Sequence, residues 1–407
     1  MVETVAESGA ELAEFRERAR TWLAANVPQA GSVAPDDIEV AKRFQAALHD
    51  AGFAGITWPV AYGGQGLREQ AQLAFNEVAR DFDLPVFSFI IGLGMCGPTI
   101  VDLGTEEQKI RYLRPLLRGE QVWCQLFSEP GAGSDVASLQ SRAVADGDGW
   151  VLDGQKVWTT LAQRADFGAV LARTNSDVPK HKGLTMFIVD MHAPGVTVRP
   201  LRDMTGRAPF NEVSFEGVRI GGDAVIGAVG EGWRAAVTML GHERVWIGTS
   251  VARRSDPFAF TALAEDARAQ GLLADPAIRA ELAELYARQA SLRLFTARLR
   301  QEANAGNPPG ARGSVAKLVG ALNAAYAVEV AGAVAGPSSV AATAQDQHAL
   351  ERAIAMNGAP SSAIAVGTNE IQRNIIGERV LGLAKEPAVD RDVPFRELKV
   401  GTQRGDA

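Results

Sequence analysis

Residues 126 to 135 read Leu126-Phe127-Ser128-Glu129-Pro130-Gly131-Ala132-Gly133-Ser134-Asp135, and a second cluster follows at Asp153-Gly154-Gln155-Lys156-Val157-Trp158-Thr159-Thr160. In the first, a Pro-Gly-x-Gly-Ser-Asp turn exposes several backbone N–H groups, that of Gly133 among them. Few side chains stand in the way, so a pyrophosphate can approach closely, and Ser134 adds a hydroxyl donor. In the second, an Asp-Gly hairpin turn is expected to lead into a strand carrying Trp158, whose indole can lie against a flat redox ring. Thr160, two residues on, has the same strand parity and can donate a hydrogen bond to that ring. A phosphate cradle, an aromatic face and a hydroxyl together describe a flavin site.

Three regions must position these groups. From about residue 9 to 120 the pattern is helical. Leu12, Phe15, Ala19, Trp22 and Leu23 share one face, a second apolar face runs from Ile38 to Leu48 and stops at Gly52, and Thr105-Glu106-Glu107-Gln108 forms a capping box for a helix ending near Gly119. Between about 121 and 230 the period changes, predicting short strands at 150–152, 155–159, 168–173, 184–190, 196–200 and 212–215 in a compact β domain. From 231 onward helical patterns return at 231–254, 257–270, 276–304, 312–335, 346–357 and 369–381, with a break at Ser255-Asp256-Pro257. Asp275 before Pro276 reads as an N-cap with proline at the first helical position. Such Ala- and Leu-rich helices between Gly/Pro loops suggest a bundle.

Composition narrows the class further. With 407 residues and 46% hydrophobic content the chain can bury a large core, and length alone suggests two or three domains. A net charge of −7 without a dense Lys/Arg tract disfavours nucleic acid. Cys96 and Cys124 form no metal-type or CxxC spacing and read as two buried thiols. His49, His181, His192, His242 and His348 likewise lack ligand spacing, so no metal site is expected. The first residues show no signal peptide, and no apolar run of roughly 18 residues is seen, so a soluble, cytoplasmic protein without a membrane span is expected. There is no GxGxxG opening a βαβ unit, no GxxxxGK[ST], no HExxH and no GxSxG. Gly195 to Asn211 reads as strand and loop rather than a phosphate cradle, and Arg199, Arg202 and Arg207, which could meet a ligand's phosphates, read first as an exposed basic loop.

With the two clusters, Gly52-Phe53-Ala54-Gly55-Ile56-Thr57-Trp58-Pro59 and Gly367-Thr368-Asn369-Glu370-Ile371-Gln372-Arg373, the chain resembles the acyl-CoA dehydrogenase family over nearly its whole length. The resemblance implies an α+β fold: an N-terminal helical domain (1–120), a middle β-barrel-like domain (121–230) and a C-terminal helical bundle (231–407). It implies FAD, with Ser128 and Ser134 near the flavin ring and the pyrophosphate, Trp158 and Thr160 at the ring, and Thr368 and Glu370 toward the adenine end. Thr368 also makes an ordinary N-cap for the last helix.

Desaturating an acyl thioester requires a base for the acidic α-proton while the β-hydrogen leaves as hydride. In many family members that base is a Glu directly before the C-terminal Gly-Thr, but here the position is Val366, which accepts no proton. The branch resembling isovaleryl- and long-chain acyl-CoA dehydrogenases places a Glu followed by Arg on the first long helix of the C-terminal domain. Gly241-His242-Glu243-Arg244-Val245 stands at that point, making Glu243 the candidate base. An apolar, water-poor surround would strengthen such a carboxylate, and Arg244 could orient it or form a structural salt bridge. The family's Arg-x-x-Phe-Gly segment, which reaches a neighbouring subunit's flavin, is absent from Arg253 to Phe260.

The resemblance implies an acyl-CoA substrate, an electron-transfer flavoprotein as acceptor, and an oligomer. A branch common in actinobacteria forms mixed assemblies with a related chain, so homomeric and mixed forms both stay open. Two rivals stand beside dehydrogenation: a non-catalytic or flavin-binding partner subunit, and a flavin monooxygenase on the same fold.

Overall fold

The computed structural model describes residues 9–29, 37–249, 256–304, 307, 310–341, 347–387 and 390–398. The chain divides into two compact units, one of residues 1–201, 208–251 and 387–407, the other of 202–207 and 252–386.

The first unit opens with helices α1 (Gly9–Asn26), α2 (Ile38–Asp50) and α3 (Glu69–Ala79). Phe15, Ala19 and Leu23 of the expected face are buried with Phe44, Leu48, Phe53 and Phe75 in one core. A π-helical turn, Gly92–Cys96, runs into α4 (Gly97–Leu103), and α5 (Glu106–Leu117) follows. Both limbs of the capping box at Thr105 are made: Thr105 Oγ1 accepts from Gln108 N, and Gln108 Oε1 from Thr105 N at 3.1 Å. The amide of Gln108 also donates to the carbonyls of Asp223 (2.7 Å) and Val225 (2.9 Å), tying this helix start to the sheet.

Eight strands follow: β1 (Trp123–Leu126), β2 (Arg142–Asp146), β3 (Gly149–Thr160), β4 (Phe167–Arg173), β5 (Leu184–Asp190), β6 (Val196–Leu201), β7 (Phe210–Gly221) and β8 (Val225–Ile226). Their order is β6-β7-β3-β2-β4-β5-β8, with β1 parallel to β4 off that path. Sequence periodicity missed β1, β2 and β8. β1 and β8 are very short, and β2 buries only Ala143, so it carries no apolar alternation.

Successive residues of β4 feed different cores. Ala169 and Leu171 join Ile100, Leu113, Leu116 and Met239 on one side, whereas Val170 and Ala172 meet Leu126, Leu152, Phe187, Val213 and Phe215 on the other. Strands from both ends of the path contribute to that second core, the mark of a curled, barrel-like sheet. Tyr112 of α5, Trp123 of β1 and Phe167 of β4 form an aromatic trio with centroids 5.2 to 5.3 Å apart.

The expected Asp-Gly hairpin turn is corrected by the structure. β3 runs unbroken through Asp153-Gly154, which form a bulge where the register against β7 shifts; the chain reversal lies at 146–149 instead. Gly154 has φ +146°, and a Cβ there would stand 2.3 Å from Ser141 Oγ, so only glycine fits.

The first unit also holds α6 (Gly232–Thr249), packed on α4, β5 and the π-helical turn. The second unit contains α7 (Phe260–Ala269), α8 (Pro276–Asn304), α9 (Gly313–Ala335), α10 (Gln347–Gly358) and α11 (Asn369–Ile375), which continues into a π-helical turn. Asp275 accepts from Ala277 N at 2.8 Å, capping α8 as expected. Leu263, Leu282, Leu285, Ala327, Val330 and Val334 form this unit's core.

By length and composition alone, Gly310–Ser339 is long and apolar enough to cross a membrane, although no unbroken apolar run was seen in the sequence. Within its unit the helix is central, touching α7, α8, α10 and α11. Only 33% of its most apolar window is buried there.

Candidate functional site

The loop from β1 to β2 is built on a tight turn: Glu129 N donates to Ala132 O and Ala132 N to Glu129 O, both at 3.0 Å. Gly131, Gly133 and Ser134 are exposed, and open space surrounds the Cα of each of these glycines. With Glu129 N and Ala132 N spent on the turn, the backbone open to an approaching anion is that around Gly131 and Gly133.

Beneath the loop lies a pair that motif reading passed over. Lys156, fully buried, donates to Glu129 Oε1 at 2.8 Å and to Phe127 O at 3.1 Å. Glu129 also accepts from Ser141 N (2.9 Å) and Gln140 N (2.6 Å). Burial alone would raise the Glu129 carboxyl, but the Lys156 charge and these donors outweigh it and hold the carboxyl below its ordinary value. Burial pulls the Lys156 ammonium down, with Glu129 opposing. The available signal was a lysine inside an expected strand, between Gln155 and Val157.

One residue further, Val157 N donates to Ser128 O at 2.9 Å, setting Ser128 beside the start of the Trp158 segment. Trp158 is not in regular strand geometry. Its φ is +62°, and the pairing with β7 slips by one residue between Lys156 and Thr159. The simple parity argument for Trp158 and Thr160 is thereby corrected, since Trp158 lies within the bulge and Thr160 in the regular pairing after it. Trp158 stays 54% exposed with its ring 5.8 Å from that of Phe210 at 82°, while Thr159 is buried and Thr160 is half-buried. Positive φ at a bulky residue costs of order 1–3 kcal/mol and clusters at ligand sites. Val366, the position without a carboxylate, shares this feature with φ +59°.

Glu243 lies on α6, 9% exposed, four residues after the buried Met239. Met239 belongs to the core that also takes in Leu161, the residue after Thr160. The side chain of Arg244 lies outside the described residues, as do Arg253, Arg254 and Ser255. His242 Nε2 meets Asp102 Oδ2 at 2.8 Å and ties α6 to α4. His49 and His181 are likewise engaged, with Gly63 O and the Trp233 ring, and no metal-type cluster occurs among the described residues. Both cysteines are buried and free; burial pushes the Cys96 thiol up to about 12.

In the second unit, Thr368 Oγ1 accepts from Ile371 N at 3.3 Å and caps α11. Glu370 is exposed and pairs with Arg373 at 3.3 Å. Arg199 is exposed and 4.0 Å from Glu212.

Helices, a curled sheet and further helices in this order, with a glycine loop beside an exposed tryptophan, define a flavoprotein-dehydrogenase type of architecture. Family models agree segment by segment: the acyl-CoA dehydrogenase N-terminal domain matches 9–120, the middle domain 124–218 and the C-terminal domain 230–381. The chain belongs to the acyl-CoA dehydrogenase family.

Among its relatives, acyl-CoA dehydrogenase IpdE1 of Mycobacterium tuberculosis is 36% identical over 389 residues, covering 92% of this chain and 99% of that one. Acyl-CoA dehydrogenase FadE34 of the same organism is 39% identical over 346 residues, 84% of this chain but only 46% of that protein. The chain thus spans less than half of FadE34 and nearly all of IpdE1. Among solved structures, the ChsE4-ChsE5 complex from Mycobacterium tuberculosis matches with TM-score 0.76 and 28% identity, over 94% of this chain and 100% of that one. The Tcur3481-Tcur3483 steroid ACAD gives TM-score 0.77 and 27% identity, over 93% and 99%.

Proposed function

We propose that this chain is a FAD-dependent acyl-CoA dehydrogenase in which Glu243 takes the α-proton of an acyl thioester. The observation that carries the reading is a buried carboxylate on α6, in the branch position, where Val366 offers none at the other. The loop's chemistry supports the cofactor: the backbone around Gly131 and Gly133 is uncrowded, and Trp158 presents an exposed aromatic ring. Gly133 and Ser134 would hold the pyrophosphate, and Ser128, Trp158 and Thr160 the ring system. Thr368 and Glu370 keep the adenine-end assignment that the family resemblance implies. When bound, the flavin supplies the acceptor for the β-hydrogen and its electron pair.

The chain's own part is acid–base work and exclusion of water. The α C–H bond breaks toward the Glu243 carboxylate, and Cα=Cβ forms as the β-hydrogen departs with its electrons. Packing of α6 against apolar residues keeps water from competing for that proton. Electrons then leave to an electron-transfer flavoprotein, and the setting is cytoplasmic. The two solved neighbours carry paired chain names, which favours as a second reading a subunit of a mixed oligomer.

The test is anaerobic titration of the purified protein with straight, branched, aromatic and steroid side-chain acyl-CoA esters while flavin absorbance is followed. Bleaching by at least one ester, lost in Glu243→Gln with flavin retained, is expected. Undiminished bleaching in that variant overturns the assignment of the base. A chain without flavin when expressed alone favours the partner-subunit reading, and rapid oxygen consumption by the reduced protein favours a monooxygenase.

A further inference from the structure

Residues 390–398 belong to the first compact unit, although they follow the last helix and lie beyond the C-terminal family match, which stops at 381. They lie along the stretch between β4 and β5: Phe395 N donates to Val178 O at 2.9 Å, Arg396 N to Ser176 O at 3.1 Å, and Pro394 bridges Pro179. The Phe395 ring, 6% exposed, sits against the Arg173 guanidinium, whose carbon is 3.3 Å from the ring centroid. Buried Arg173 donates in turn to the carbonyls of Ala137 (2.6 Å), Leu139 (3.3 Å) and Lys180 (3.1 Å). Ala137 and Leu139 follow directly on the Ser134 loop.

A second link reaches the loop itself. Lys180 Nζ donates to Asp390 Oδ2 at 2.8 Å and to Asp135 Oδ2 at 2.9 Å, and Asp135 Oδ2 also accepts from Ser138 Oγ at 2.5 Å. Burial would lower the Lys180 ammonium, but hydrogen bonds to Asp390 and Asp135 outweigh it and hold the group above its ordinary value. The segment therefore grips both the residue after Ser134 and the short turn behind it.

We propose that residues 390–398 form a strap that pre-shapes the Ser134 loop for the cofactor's phosphates, with Phe395 and Lys180 as positioning residues. The inference rests on the FAD reading above. A loop with two uncrowded glycines has wide backbone freedom, and every conformation that scatters its N–H groups weakens anion binding. Anchoring Asp135 through Lys180, and Ala137 and Leu139 through Arg173, removes that freedom before the ligand arrives. A merely space-filling tail would affect stability and leave cofactor affinity alone.

The experiment compares the full chain with a truncation after Glu386, with Phe395→Ala, Phe395→Tyr and Asp390→Asn. Two readouts are taken: amide exchange at 130–139 without cofactor, and the FAD dissociation constant from flavin fluorescence. Truncation and Phe395→Ala are expected to speed exchange at 130–139, leave β4 and β5 protected, and weaken FAD about tenfold, as when the competent loop falls to roughly a tenth of the population. Phe395→Tyr, which keeps a ring on the guanidinium, should return the constant to within about twofold. Asp390→Asn should show a smaller loss that fades as salt rises. Adding a peptide of residues 387–407 to the truncated chain should restore binding. Unchanged exchange and unchanged affinity in the truncated chain overturn the strap. If the intact chain alone binds no FAD, that result favours the partner-subunit reading, and exchange at 130–139 alone then decides the strap.

Discussion

Replacing Lys156 by Met removes one partner of a fully buried ion pair and leaves Glu129 charged in the protein interior. Breaking such a pair from one side typically costs 3–5 kcal/mol. Glu129 would keep the N–H groups of Gln140 and Ser141 at 2.6 and 2.9 Å, which places the loss at the lower end, about 3 kcal/mol. At roughly 2–4 °C per kcal/mol for a unit of this size, the apparent Tm should fall by about 6–12 °C. The double variant Glu129→Gln/Lys156→Met removes both charges, so its loss should be smaller than the sum of the single losses by about 1–3 kcal/mol. Scanning calorimetry of the four proteins gives the cycle. Additive losses, or a Lys156→Met protein within about 1 kcal/mol of the parent, would refute the reasoning.

Two further outcomes follow from the same region. Gly154→Ala should cost roughly 2–4 kcal/mol, because alanine meets both a backbone conformation at φ +146° and Ser141 Oγ at 2.3 Å; a melting temperature equal to the parent's would show that the bulge relaxes freely. The Glu129 carboxyl lies below its ordinary 4.5 in the folded chain, so its contribution is present above that value and lost as pH falls through the folded value. Melting curves of the parent and of Glu129→Gln should therefore converge as pH falls below 4.5 and through the folded value, and parallel curves would argue against a charged native Glu129.

The sequence disclosed helices where the chain punctuates itself. Thr105 with Gln108, Asp275 with Pro276, and Thr368 each begin a helix where the cap residue stands, because the cap chemistry is local. Local signals failed where tertiary contacts decide. Asp153-Gly154 carries hairpin composition but lies inside β3, where Ser141, just before β2, leaves room only for glycine. The positive φ of Trp158 and the one-residue slip beside it depend on β7, some fifty residues away in sequence. The motif residues Ser128, Ser134 and Trp158 were legible as a cluster. Their support by Glu129, Lys156, Arg173 and the 390–398 segment was not, because a buried charge is unremarkable in sequence until its partner is known.

The double duty of Gln108 bears on how such chains can be recombined. Its side chain closes the first turn of α5 and also holds the carbonyls of Asp223 and Val225, while Tyr112 lodges against Trp123 and Phe167. A crossover at residue 120 between two homologues would split these partnerships, so viable chimeras should inherit Gln108, Tyr112, Trp123 and Phe167 from a single parent.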